Sequence, residues 1–430
     1  MRGMSRRSTA LALAAVAFLA LAPLPAAAAP PAGACRDPEP GRPVVPQVPW
    51  AQQLLDLDRV HAHSTGAGVA VAVVDSGVDA DHPQLAGRVL PGRDFFLAGT
   101  LPGNFDCESH GTAVASIIAA GPAEGVAFRG VAPDARVLPV RVSDREFTDG
   151  GDPIPIDVDV VSRGIRYAVD EGARVLNLSL SGYGDYPAIR DAVGYAQSRD
   201  VLVIAAVGNR QQDGGGPSFP AAYDGVLGVG SVDISGARSR GSQVGPYVDV
   251  VAPGEGVLAA ARAGGHAYWT GTSFAAPFVA GTAALVRSAW PQLTAPQVAA
   301  RITATASPAR GGRGSAEYGA GVVDPYRAVT ERLAAEGPLA MPPVTDPPVD
   351  EAALREQAWW QRAGSSAVIG VGVVALAIVV AAVWALVAPR GRRSRWLAAR
   401  RTALPAAPAR VEPPDEVFLF PPPPVERVRH

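Results

Sequence analysis

Thr272 to Trp290 is an almost unbroken apolar run, entered through Gly271-Thr272-Ser273-Phe274-Ala275-Ala276-Pro277. It has helix length and is apolar on every side, so the chain must surround it with other elements. Pro277 is expected in the first turn, where a missing N–H costs little. Gly281 leaves room for a neighbour to pack closely. Ser273 then sits near the positive end of a buried helix dipole, which favours developing negative charge. Taken alone, Ser273 is more simply a capping serine.

The rest of the chain supplies the surroundings. Val69 to Val74 is a continuous apolar run ending at Asp75. Such runs belong to strands covered on both faces, hence to a parallel sheet. Further strands are expected at Ala135–Val142, Val175–Leu180, Val201–Val207, Val226–Val232 and Val248–Ala252. Helices are expected at Gln52–His61, His110–Ala119, Asp157–Glu171, Tyr186–Arg199, Ala295–Ala304 and Asp324–Ala334. This alternation predicts a three-layer α/β domain with a mostly parallel central sheet.

The ends of the chain set its compartment. Arg2, Arg6 and Arg7 precede an apolar stretch from Thr9 to Leu24 and the small residues Ala26 to Ala29, the pattern of an export signal over 1–29. Ser366 to Ala388 carries no charge and is long enough to cross a bilayer. Arg390, Arg392, Arg393 and Arg395 follow it, which puts the tail in the cytoplasm and the body outside. The expected division is a signal peptide (1–29), a proline-rich extension (30–51), a catalytic domain (52–335) and a linker (336–364). A transmembrane helix (365–388) and a basic, proline-rich tail (389–430) complete it. The protein is then a single-pass protein of the cell membrane. A formal net charge of -2 gives no sign of nucleic-acid binding. Cys35 and Cys107 are the only cysteines; in an exported chain they read economically as one disulfide, the alternative being two free thiols.

Four polar residues stand where chemistry is expected. Asp75 closes the first strand, and Asn209 follows the strand at Val201; singly, each is ordinarily a loop or turn residue. His110 opens an apolar helix, and a lone histidine there is more often structural. Gly111 beside it lets another segment approach the imidazole. Together they make a serine-nucleophile set. Ser273 attacks a carbonyl, His110 moves the proton, Asp75 orients the imidazole, and Asn209 with the Ser273 N–H receives the oxyanion. The order Asp, His, Ser is the subtilisin order.

Val74-Asp75-Ser76-Gly77-Val78, His110-Gly111-Thr112-Ala113-Val114-Ala115 and Gly271 to Pro277 resemble the motifs of subtilisin-like serine proteases, over Gln52 to about Arg332. The resemblance implies Asp75, His110 and Ser273 as the triad and Asn209 as the oxyanion donor. It also implies that Ser179, Leu180 and Ser181 edge the substrate cleft and that Ala206, Val207 and Gly208 line the main side-chain pocket. Ser181 stands where family members commonly carry glycine. The signal peptide, the Cys35 extension, Asp106-Cys107 and the C-terminal apolar span resemble the mycosins, membrane-anchored subtilases of type VII secretion systems. That resemblance implies an extension wrapped on the catalytic domain, which a Cys35–Cys107 bond would staple. It implies protein or peptide substrates and secretion-complex partners. Two other roles are a scaffold for that complex and a free-standing degradative protease. No cofactor is expected. Asp79, Asp81 and His82 fit no standard metal spacing. Asp149, Asp152, Asp157 and Asp159 lack the regular spacing of a calcium loop.

Overall fold

The computed structural model describes residues 30–97, 100–144, 157–213 and 216–333, and beyond them Arg355, Trp359, Gly372 and 374–384. The expected export signal, Asp149, Asp152, most of the 336–364 linker and the 389–430 tail lie outside these residues. Of 365–388, Gly372 and 374–384 are described, and they are helical. Among the described residues no helix is long and apolar enough to cross a membrane. Two units divide the chain, Met1–Pro347 and Pro348–His430.

In the first unit a 7-stranded sheet has the order β2-β3-β1-β4-β5-β6-β7. Its strands are β1 (Ala70–Asp75), β2 (Arg93–Asp94), β3 (Arg136–Arg141), β4 (Val175–Leu178), β5 (Leu202–Ala206), β6 (Leu227–Val232) and β7 (Val250–Pro253). Every neighbouring pair is parallel. The side chains of β1 explain its unbroken apolar sequence. Val71 and Val73 enter one core, Ala72 and Val74 the other. β5 does the same, with Leu202 and Ile204 on one face and Val203 and Ala205 on the other. Both faces are covered, so every position is apolar.

The helices are α1 (Trp50–Leu54), α2 (Leu57–His61), α3 (His110–Ala119), α4 (Val158–Asp170), α5 (Pro187–Ser198), α6 (Thr272–Ala289), α7 (Ala295–Thr305) and α8 (Pro325–Thr330). Residues of α4 and α5 fill one core; those of α3, α6, α7 and α8 fill the other. The layers are therefore helix, sheet, helix. A single helix over 52–61 is broken in two, because Asp56 takes a left-handed conformation (φ 46°). The helix expected to reach Ala334 ends at Thr330, where Glu331 turns extended. An antiparallel hairpin of β8 (Val257–Ala260) and β9 (His266–Trp269) was not anticipated; its strands are too short for periodicity to register.

α6 is buried from Thr272 to Arg287 except at Ser273. At Gly281 a Cβ would lie 2.6 Å from Val131 Cβ, so closeness there requires glycine. Pro277 corrects an expectation: it is the sixth residue of α6, inside the helix rather than in its first turn. Its missing N–H leaves the Ser273 carbonyl without its helical donor. The Ser179 hydroxyl donates to that carbonyl instead, at 2.7 Å.

Residues 30–49 form no helix or strand, yet their backbone is tied down. Glu39 N–H donates to Cys107 O and Arg42 N–H to Gly264 O, while Pro43 O and Pro46 O accept from His266 and Ala127.

Candidate active site

The order of the strands reverses at β1, with β3 on one side and β4 on the other. The crevice outside the carboxyl ends of strands at such a reversal is where open α/β sheets collect ligands. Asp75 ends β1 there, and Ser179 to Ser181 follow β4.

His110 is the first residue of α3, and the helix start is built unusually. Ser109, at the cap position, is left-handed (φ 68°), and its hydroxyl accepts from Arg262 N–H instead of capping. The orphan N–H groups of the first turn find other acceptors. Gly111 N–H donates to Ser76 Oγ at 2.9 Å and Thr112 N–H to Asp106 Oδ2 at 2.9 Å. A Cβ on Gly111 would sit 2.0 Å from Gly77 O, so glycine lets the Asp75 loop close on the helix. His110 Nδ1 and Asp75 Oδ1 are then 2.7 Å apart, both side chains buried. A carboxylate can only accept, so Nδ1 carries the hydrogen and Nε2 of the neutral ring keeps its lone pair. Phe274 packs on the imidazole at 5.0 Å between ring centres, and Trp269 packs on Phe274 at 5.2 Å.

Ser273 stands in the first turn of α6, half-exposed, with Oγ donating to Ser179 O at 3.2 Å. Its N–H is among those a helix start leaves without an intrahelical acceptor. Asn209 reaches the same turn from the end of β5. Its Oδ1 accepts from Thr272 N–H at 2.8 Å and Thr272 Oγ at 3.1 Å. With the oxygen committed to donors, the NH2 end is the one left to face a ligand. Gly271 (φ 147°) passes beneath it; a Cβ there would lie 3.1 Å from Nδ2.

Ala206, Val207 and Gly208 are buried at the end of β5. Gly208 (φ 97°) has no space for a side chain, since its Cβ would lie 2.0 Å from Gln243 Oε1 and 3.1 Å from Ser181 Oγ. Thus the two expected cleft segments, 179–181 and 206–208, adjoin. Gly182 beyond them pairs through its backbone with Phe219. A buried aspartate–histidine pair, a serine on a helix N-terminus and an outward amide make a set that can perform acyl transfer.

The family model described as Subtilase family matches residues 66–321. The chain belongs to the subtilase family. Mycosin-4 of Mycobacterium tuberculosis is 39% identical over 291 residues, 59% of this chain and 63% of that protein. Mycosin-1 of the same organism is 36% identical over 331 residues, 66% of this chain and 73% of that protein. The crystal structure of MycP1 from the ESX-1 type VII secretion system superposes with a TM-score of 0.61 at 32% identity, over 72% of this chain and 93% of that one. These relatives put the chain in the mycosin branch of the subtilases.

Cys35 and Cys107 of this subtilase are joined in a disulfide. Of the residues considered for metals, Asp79, His82 and Asp157 are engaged in local bonds. Asp79 accepts from Asp81 and Ala263 N–H, His82 bonds to Gly265 O and Gln84 N–H, and Asp157 caps α4 through Asp159 and Val160 N–H. Burial holds the His82 imidazole below its usual pKa. Among the described residues no cluster of His, Cys, Asp or Glu is placed to hold a metal.

Sequence reasoning missed the supports beneath the site. Arg141, fully buried, donates through Nε to Ser76 O at 3.0 Å and through a terminal nitrogen to Asp94 at 2.9 Å, and also pairs with Asp144. Phe105 and Phe96 lie on its guanidinium at 4.9 and 5.1 Å. Its signal was present: a charge directly after the apolar run Val137–Val140 of a buried strand needs buried partners.

Proposed function

We propose that this subtilase is a serine endopeptidase that cleaves exported proteins or peptides, with Asp75, His110 and Ser273 as its triad. The 2.7 Å bond between His110 and Asp75 carries the reading, since it fixes the imidazole as a base aimed away from the carboxylate. Ser273 Oγ attacks the peptide carbonyl while His110 Nε2 takes its proton. The charge that develops on the carbonyl oxygen is received by the Asn209 NH2 and the Ser273 N–H. His110 then protonates the leaving amine, and the acyl-serine forms as the C–N bond breaks. Water, deprotonated by His110, releases the acid and restores Ser273. Ser179 to Ser181 edge the cleft, and Ala206 to Gly208 line the pocket for the side chain next to the cut bond.

Descent with MycP1 supports work beside a type VII secretion complex. On this reading 1–29 directs export, 30–51 wraps the catalytic domain of 52–335, and 336–364 links it to a membrane helix at 365–388. Residues 389–430 then lie in the cytoplasm. The exposed Val374, Leu376, Ile378 and Val380 of the helical 374–384 stretch suit a lipid environment.

The test is full-length protein in detergent, assayed by peptide-library cleavage and fluorophosphonate labelling. Ser273→Ala should lose labelling and at least about 10⁴-fold in kcat. Hydrolysis surviving in that variant would remove the assignment.

A further inference from the structure

Asp106 lies below the triad with its side chain enclosed, 1% exposed. Ser76 Oγ and Glu108 N–H donate to its Oδ1, each at 3.0 Å. Thr112 N–H at 2.9 Å and Thr112 Oγ at 2.6 Å donate to Oδ2. Ser76 in turn accepts from Gly111 N–H, and Thr112 Oγ from Asp79 N–H at 3.0 Å. A single carboxylate therefore ties the residue after Asp75 to the two residues after His110.

The donors also decide its charge state. Both hydroxyls give their hydrogen to Asp106 and accept from backbone N–H groups, so a carboxyl proton would meet only donors. Four donors on its two oxygens favour the anion. Burial opposes that charge and raises the Asp106 pKa, and Asp75 adds repulsion. Of the other charged groups here, Arg262 donates to the Asp106 carbonyl and Arg141 to the Ser76 carbonyl, while Glu108 and His110 follow it in sequence. An enclosed anion is costly where a neutral side chain would pack as well.

We propose that Asp106 is a positioning residue for the hydrolysis, an ionised hub that sets the distance and angle between Asp75 and His110. The inference rests on the endopeptidase reading. Its test compares wild type, Asp106→Asn, Ser76→Ala and the double variant, as full-length protein, by peptide hydrolysis across pH and by fluorophosphonate labelling of Ser273. Asp106→Asn turns an NH2 toward a donor and removes the charge. It should lower kcat by about 10–100-fold with KM little changed. Ser76→Ala keeps the carboxylate but cuts its hold on the Asp75 loop, and should lower kcat by about 10-fold. The double variant should be little worse than Asp106→Asn.

Unchanged kcat in both single variants would overturn the proposal, as would losses that only track the unfolded fraction at each pH. If Asp106→Asn does not fold, Ser76→Ala decides alone. Wild-type protein that is not labelled at Ser273 would overturn the endopeptidase reading itself, and this inference with it.

Discussion

At the scale of single residues, the site depends on hydrogen bonds that orient side chains without touching a substrate. Asn209 can present its NH2 outward because Thr272 supplies two donors to its oxygen. On the proposed function the residue does two jobs. Asn209→Ala should lower kcat by about 10²–10³-fold with little change in KM. It should also cost about 1 kcal/mol of stability, because α6 loses the acceptor on its first N–H. Steady-state kinetics and a thermal melt on the same preparation separate the two losses; a variant with full kcat would exclude Asn209 as oxyanion donor. Arg141 works similarly at one remove. It holds the carbonyl of Ser76, the residue after Asp75, and is balanced by Asp94 and Asp144.

At the scale of elements, α6 is placed by the defect that Pro277 makes in it. A regular helix would bond the Ser273 carbonyl internally; here the carbonyl is free to accept from Ser179, whose own hydroxyl accepts from Asn177 Nδ2 at 2.8 Å. The first turn of α6, which carries Ser273, is thus fastened to the segment that follows β4. Ser179→Ala leaves the Ser273 carbonyl and the Asn177 amide without these partners in a buried place. The expected cost is about 1–3 kcal/mol of unfolding free energy, with a lower kcat as the turn loosens. Chemical denaturation measures the first; an unchanged midpoint would mean that the fastening carries no stability.

At the scale of the whole molecule, the N-terminal extension behaves as part of the domain. The Cys35–Cys107 bond closes a separation of 72 residues, which constrains the unfolded chain by about 4 kcal/mol in the loop-entropy account. His266 is a second anchor: Nδ1 accepts from Val45 N–H at 3.2 Å while Nε2 bonds to Gln84 Oε1 at 2.7 Å. Burial, then the neighbouring His82, lowers the His266 pKa from 6.5 to about 4. The unfolded chain therefore binds this proton between pH 6.5 and 4 while the folded chain does not, so stability falls as pH falls through that window. The loss approaches about 3 kcal/mol near pH 4 from this group alone. Melting temperatures measured from pH 7 to 4.5 should fall, and fall less in His266→Gln. Equal slopes in the two proteins would dismiss His266 as the source.

Much of this was legible in the chain because the deciding forces are local or periodic. Unbroken apolar runs such as Val69–Val74 can be satisfied only by a sheet covered on both faces, and an all-round apolar run such as Thr272–Trp290 only by burial. Both were readable from residue order, as were the motifs around Asp75, His110 and Ser273. The supports were not. Whether Asp106, Arg141, Ser179 and His266 are loop residues or buried anchors depends on partners distant in sequence, such as Ser76 or Val45. Pro277 illustrates the limit: its cost depends on whether a hydroxyl from the segment after β4 reaches the carbonyl it leaves free. Sequence determined the layers and the family motifs, while tertiary packing alone decided which buried polar atoms meet, because a buried hydrogen bond depends on positions in space rather than on order along the chain.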